Sequence, residues 1–156
     1  MIDEVFNNKC IGCSVVNGEL VPIGGVICET KSFVLAQDPL VMIPVFLIIQ
    51  SKKHINSLLG LNHDEQQELM ELVCKAREAQ DKLKICKDVI ILQEERSIHF
   101  HVWLFPYYDW MKEKFGQGIA YVRDIIEYIK ENSTEEDRSK TKETAEMVKD
   151  FLKKLK

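Results

Sequence analysis

The chain has 156 residues, 46% hydrophobic and 29% charged, with a formal net charge of −4. That is the make-up of one globular domain with a real core, and it excludes the disordered and fibrous classes. The acidic balance and scattered lysines give no pull towards a polyphosphate backbone, so nucleic-acid binding is disfavoured.

The opening residues carry Asp3 and Glu4 where a secretion signal needs a basic and then an apolar stretch. The longest apolar run, 40–49, is broken by Pro44 and is too short to span a bilayer, which predicts no membrane segment. Five cysteines (Cys10, Cys13, Cys28, Cys74, Cys86) then read as reduced thiols of a cytoplasmic protein, since an odd count does not complete a disulfide framework.

In chain order, apolar or β-branched segments bounded by Gly, Pro or polar clusters predict five strands, at 25–28, 32–37, 45–50, 89–93 and 98–105. Between the third and fourth, Asn62 caps a predicted helix, with Glu65 completing a capping box. Leu69, Leu72, Val73, Ala76 and Leu83 share the face that covers the sheet. Helical spacing returns at Ile119, Val122, Ile125, Ile126 and Ile129, ending near Asn132. Ser133 or Thr134 opens a last, highly charged helix with a narrow apolar face of Ala145, Val148, Phe151, Leu152 and Leu155.

The segment Ser97-Ile98-His99-Phe100-His101-Val102-Trp103-Leu104-Phe105-Pro106 carries the chemistry. On a strand, His99, His101, Trp103 and Phe105 share one face, while Phe100, Val102 and Leu104 share the other. Two of the four histidines thus stand side by side. An adjacent core pair is the plain alternative. A neutral imidazole whose second ring nitrogen is held by an acceptor can attack phosphorus and form a phosphoramidate. The same two rings, two residues apart, could instead share a zinc ion.

This run resembles the signature of the histidine triad superfamily, alternating histidines and apolar residues closed by a proline, here Pro106. His99 and His101 match its first two histidines, and Trp103 stands at the third. The resemblance makes His101 the nucleophile. Trp103 stands where the family's third histidine assists the leaving group, and an indole can offer only an N–H donor. Upstream, Ala36-Gln37-Asp38-Pro39 and the segment 47–55 ending in His54-Ile55 resemble the family's strand pair, whose aspartate holds the ribose. As plain readings, Asp38 is a turn-former before Pro39 and His54 a polar residue after a strand. The likeness implies a nucleotide site drawing on Asp38, Ile11, Pro39, Arg96 and Ser97. The approach to the histidines, Gln93-Glu94-Glu95-Arg96-Ser97, lacks the family's glycines, and its two glutamates repel a polyphosphate.

Cys10-Ile11-Gly12-Cys13 is similar to the start of a subset of bacterial members that hold zinc with two histidines. This implies a structural zinc on Cys10, Cys13, His54 and His99. A redox Cys-x-x-Cys is the rival, although it normally opens a helix in a thioredoxin-like unit.

The resulting expectation is an α+β fold: a five-stranded antiparallel sheet with a covering helix over 1–111, and a helical C-terminal extension over 112–156 packed on or beside it. The expected function is hydrolysis or transfer at the α-phosphate of a nucleotide, nucleoside phosphoramidate or dinucleoside polyphosphate, with a purine nucleotide bound and a homodimer formed. Two alternatives stand beside it: a nucleotide-binding or sensing module with little or no turnover, and a zinc-stabilised interaction protein acting through its helical tail.

Overall fold

A computed structural model describes residues 5, 6 and 9–155. Two short strands, β1 (Val5–Phe6) and β2 (Lys9–Cys10), pair antiparallel and lead into a one-and-a-half-turn helix, α1 (Ile11–Val16). The main sheet holds β3 (Val26–Glu29), β4 (Phe33–Gln37), β5 (Leu47–Ser51), β6 (Asp88–Leu92) and β7 (His101–Tyr107). Every pairing is antiparallel, in the order β3-β4-β5-β7-β6, so the histidine strand lies inside the sheet.

The alternation of β7 sorts its side chains as expected. Phe100, Val102 and Leu104 join one core, and Phe105 joins the other with Trp103 packed against it. The strand nevertheless starts at His101 rather than at Ile98, and runs on to Tyr107. The cause is local: the Ser97 hydroxyl donates to the His99 carbonyl (2.9 Å) and accepts from the His99 N–H (3.3 Å). That bends the chain before the ladder can begin. The Phe100 N–H then bonds the Ile55 carbonyl at 2.5 Å.

Helices cover both faces. On the first lies α2 (His63–Lys82), opened by the expected capping box: Asn62 accepts from the Glu65 N–H (3.0 Å), and Glu65 accepts from the Asn62 N–H (2.9 Å). Beside it lies α5 (Glu135–Lys154), capped by Thr134 with Asp137. Ala145, Val148 and Leu152 of α5 enter the same core as Leu69 and Leu72 of α2 and Leu35, Leu47 and Leu104 of the sheet. The approach of α5 depends on Gly24 (φ +77), where a Cβ would fall 2.8 Å from that of Ala145. On the second face α3 (Asp109–Phe115) and α4 (Val122–Asn132) bury Met111, Val122, Ile125 and Ile126 against Phe46, Phe105 and Tyr107. No helix among the described residues is long and apolar enough to cross a membrane.

Candidate functional site

The turn before β5 shapes one wall of the site. Val45 has φ +54, a strained value for a β-branched residue. Side chains hold the carbonyls around it: Gln37 donates to Ile43 (2.8 Å), Tyr108 to Pro44 (2.7 Å) and Gln80 to Val45 (2.9 Å). This fixes Phe46 at the strand entrance, where it meets the Trp103 ring edge-on at 5.3 Å.

Cys10, Cys13, His54 and His99 come together, each offering one ligand atom, all within 4.8 Å of one another. The Nδ1 of His99 lies 3.3 Å from Cys10 Sγ, 3.5 Å from Cys13 Sγ and 3.4 Å from His54 Nδ1, and His54 Nδ1 lies 3.1 Å from Cys13 Sγ. Ligand atoms around a tetrahedral zinc stand about 3.4 Å apart for two nitrogens and about 3.6 Å for nitrogen and sulfur, so the donor set fits such an ion. Tautomers agree. His99 Nε2 lies 2.7 Å from the Ser51 carbonyl, which can only accept, so Nε2 carries the proton and Nδ1 presents a lone pair to the sulfurs. Burial, and then the neighbouring His54 and His101, hold His99 below the usual imidazole range and thus neutral, against the Ser51 bond. Burial likewise raises the Cys13 thiol, with Cys10 adding to it. Gly12 makes this packing possible, since a Cβ there would lie 2.4 Å from the His99 ring.

The next alternate position holds His101, whose Nδ1 lies 2.9 Å from the His99 carbonyl. Because a carbonyl only accepts, Nδ1 bears the proton and Nε2 the lone pair, the tautomer a nucleophile requires. The ring lines a cavity with Ile11, Asp38, Pro39, Ser97, His99 and Trp103. Of the residues expected in a nucleotide site, only Arg96 lies outside it. Arg96 pairs instead with Glu94 (2.6 Å) and faces a second cavity, which His101 and Trp103 also line.

Asp38 is 7% exposed, and its Oδ1 accepts from the N–H groups of Leu40 and Val41, both at 2.9 Å. Burial raises its carboxyl to about 6, against the lowering effect of those two N–H groups and of Lys130. Lys130 and Ile126, from α4, also line the first cavity. The sequence pointed to neither: helical spacing marks Ile126 as core, and nothing singles out Lys130. The enclosed part of this cavity is about 70 Å³. Sites that enclose a whole small molecule run to roughly 300 Å³ or more, so this cavity is too small to enclose one whole.

No family model matches the sequence, and no curated protein does. Solved structures match it nearly end to end. A HIT-like protein described as involved in cell-cycle regulation, from Bartonella henselae, superposes with a TM-score of 0.64 over 94% of this chain and 98% of its own, at 18% identity. The chain has the histidine triad fold. A zinc-bound histidine triad family protein from Mycobacterium smegmatis matches with TM-score 0.64 over 94% of this chain and 95% of its own, at 14% identity. A hypothetical histidine triad nucleotide-binding protein from Sulfolobus tokodaii gives 0.61 over 94% and 93%, at 17%. Two positions after His101 on the same strand stands Trp103. Its indole N–H is buried and makes no hydrogen bond among the described residues.

Proposed function

We propose that this protein binds a nucleotide, purine by resemblance, with its ribose on Asp38, and hydrolyses or transfers at the α-phosphate through His101. The observation that carries the reading is the His101 Nδ1 contact to the His99 carbonyl, which leaves the Nε2 lone pair for phosphorus. In the reaction Nε2 forms a bond to the α-phosphorus as the bond to the leaving group breaks. The leaving group departs with that electron pair and takes a proton from solvent. Water then displaces His101 and releases the nucleoside monophosphate.

Cys10, Cys13, His54 and His99 would hold a structural zinc, which supplies a cross-link between the N-terminal segment and the sheet. The described edge strand β6 pairs only with β7, consistent with the expected homodimer forming along that edge.

The test is covalent capture. Protein mixed with adenosine phosphoramidate and quenched should carry an adenylyl adduct by mass spectrometry, and His101→Ala should not, while binding AMP within about tenfold of the native protein. An adduct that survives His101→Ala overturns the assignment. One observation favours a second reading, a binding module with little turnover: Trp103 replaces the expected proton donor. Tight AMP binding with no adduct and no hydrolysis would select it.

A further inference from the structure

Three of the thiols lie on separate segments: Cys28 half-buried in β3, Cys74 exposed on α2 and Cys86 buried just before β6. Cys10 and Cys13 share one helical turn. Cys10 is the N-cap of α1 and Cys13 stands three residues on, so both side chains come to the same side. A Cys-x-x-Cys at the opening of a helix is the arrangement of redox-active pairs, and here it sits inside the cluster whose donors fit zinc. Both thiols are half-buried, within reach of a small oxidant. Two sulfurs on a tetrahedral zinc stand about 3.8 Å apart, whereas a disulfide holds them about 2.0 Å apart. Closing that bond removes both thiolates from the donor set and leaves His54 and His99, too few for a closed site. The movement does not stay within the pair. Ile11 and Gly12, the two residues between the cysteines, line the first cavity, and Gly12 packs on the His99 ring so closely that a Cβ would lie 2.4 Å from it.

We propose that Cys10 and Cys13 are a modification site for hydroperoxides: oxidation joins them as a disulfide, dissolves the Cys/His cluster and reshapes the wall of the first cavity, weakening nucleotide binding. The effect on nucleotide rests on the reading above; the disulfide does not. In the first step one thiolate sulfur attacks an oxygen of hydrogen peroxide. A sulfur–oxygen bond forms, the oxygen–oxygen bond breaks, and the departing hydroxide takes a proton from solvent to become water. The other thiolate then attacks that sulfur. The sulfur–sulfur bond forms, and the second hydroxide leaves and becomes water in the same way. Two electrons pass from the pair of sulfurs to the peroxide. Because the second step is intramolecular, between side chains one helical turn apart, it outruns the further oxidation to which an isolated thiol such as Cys74 is open.

The experiment treats the full chain, carrying Cys74→Ser to remove the exposed thiol, with hydrogen peroxide, and follows it by peptide mass mapping and by calorimetric titration with AMP. The peptide containing Cys10 and Cys13 is expected to lose the mass of two hydrogens before the other thiols react, and dithiothreitol should restore it. AMP affinity should fall about tenfold or more on oxidation and recover on reduction. Sulfinic acid at Cys10 or Cys13 in place of the disulfide, or oxidation of Cys28 ahead of both, overturns the modification site. Zinc retained by the oxidised chain overturns it as well. A disulfide that leaves AMP affinity unchanged overturns the link to the cavity. Reduced protein that binds no AMP overturns the nucleotide reading and that link together, and the disulfide is then judged by mass alone.

Discussion

His101 donates a hydrogen bond from Nδ1 to the main-chain carbonyl of His99, whose ring faces the two cysteines. One residue therefore faces both ways: its imidazole belongs to the Cys/His cluster and its carbonyl sets the tautomer of the proposed nucleophile. A change in the cluster should be felt at His101 without any contact to substrate. Cys13→Ser is expected to lower the zinc content measured on untagged protein, to lower the melting temperature by several degrees, and to slow adduct formation on His101. Native protein with a metal content near zero would remove the first two effects, and an unchanged adduct rate in a metal-depleted variant would uncouple the two sites.

Asp38 should make stability depend on pH in a definite direction. Its carboxyl is raised to about 6 from an ordinary 3.8, so the folded state holds the proton more tightly than the unfolded state. The contribution is greatest below pH 4 and is lost as pH rises through 6. Asp38→Asn keeps an oxygen for the N–H groups of Leu40 and Val41 and removes the buried charge. Urea unfolding should find the variant more stable than native protein at pH 7, by up to about 3 kcal/mol, with the gap closing towards pH 4. AMP affinity should fall at the same time. A variant less stable at pH 7 would show that Asp38 forms charge interactions worth more than its burial costs.

Trp103 has a packing role that competes with any catalytic one. Trp103→His loses the edge contact to Phe46 and should melt lower, yet it places a proton donor beside His101. General-acid help is typically worth about 10²–10⁴-fold, and good leaving groups need it least. Turnover of adenosine phosphoramidate should therefore rise more than that of a dinucleoside tetraphosphate. Equal changes for both substrates would assign Trp103 to packing alone.

Deleting 133–156 removes α5 and uncovers the core around Ile27, Leu69 and Leu72. The truncated chain is expected to lose its cooperative thermal transition and to bind a hydrophobic dye. A soluble, two-state product of the first 132 residues would show that the preceding part holds its own core.

The parts of this fold that were legible in the sequence are those governed by short-range rules. The Asn62–Glu65 capping box, the alternation through Val102, Trp103 and Leu104, and the apolar stripe of α5 all depend on spacing alone. The joining of Cys10, Cys13, His54 and His99 was legible only through the family resemblance, because nothing local links residues so far apart. Other features escaped because their causes are tertiary. The early bend at Ser97 turns on one hydroxyl serving both ends of His99. Helices α1 and α3 have six and seven residues, too few to display a period. Lys130 reaches the cavity only because α4 packs across the second face, and Arg96 is drawn to Glu94 rather than to the first cavity.

The first cavity also has a history in time. Its walls include Ile11 and Gly12 from one end of the chain and Ile126 and Lys130 from near the other, and the Cys10–His99 contact spans 89 positions. Contacts of such separation form after local ones, and on a ribosome the early wall must wait until β7 has been made. A nucleotide would therefore tie together segments that are synthesised far apart. Its binding energy, about 2.7 kcal/mol at a hundredfold excess over Kd, would stabilise the whole chain against unfolding rather than one loop.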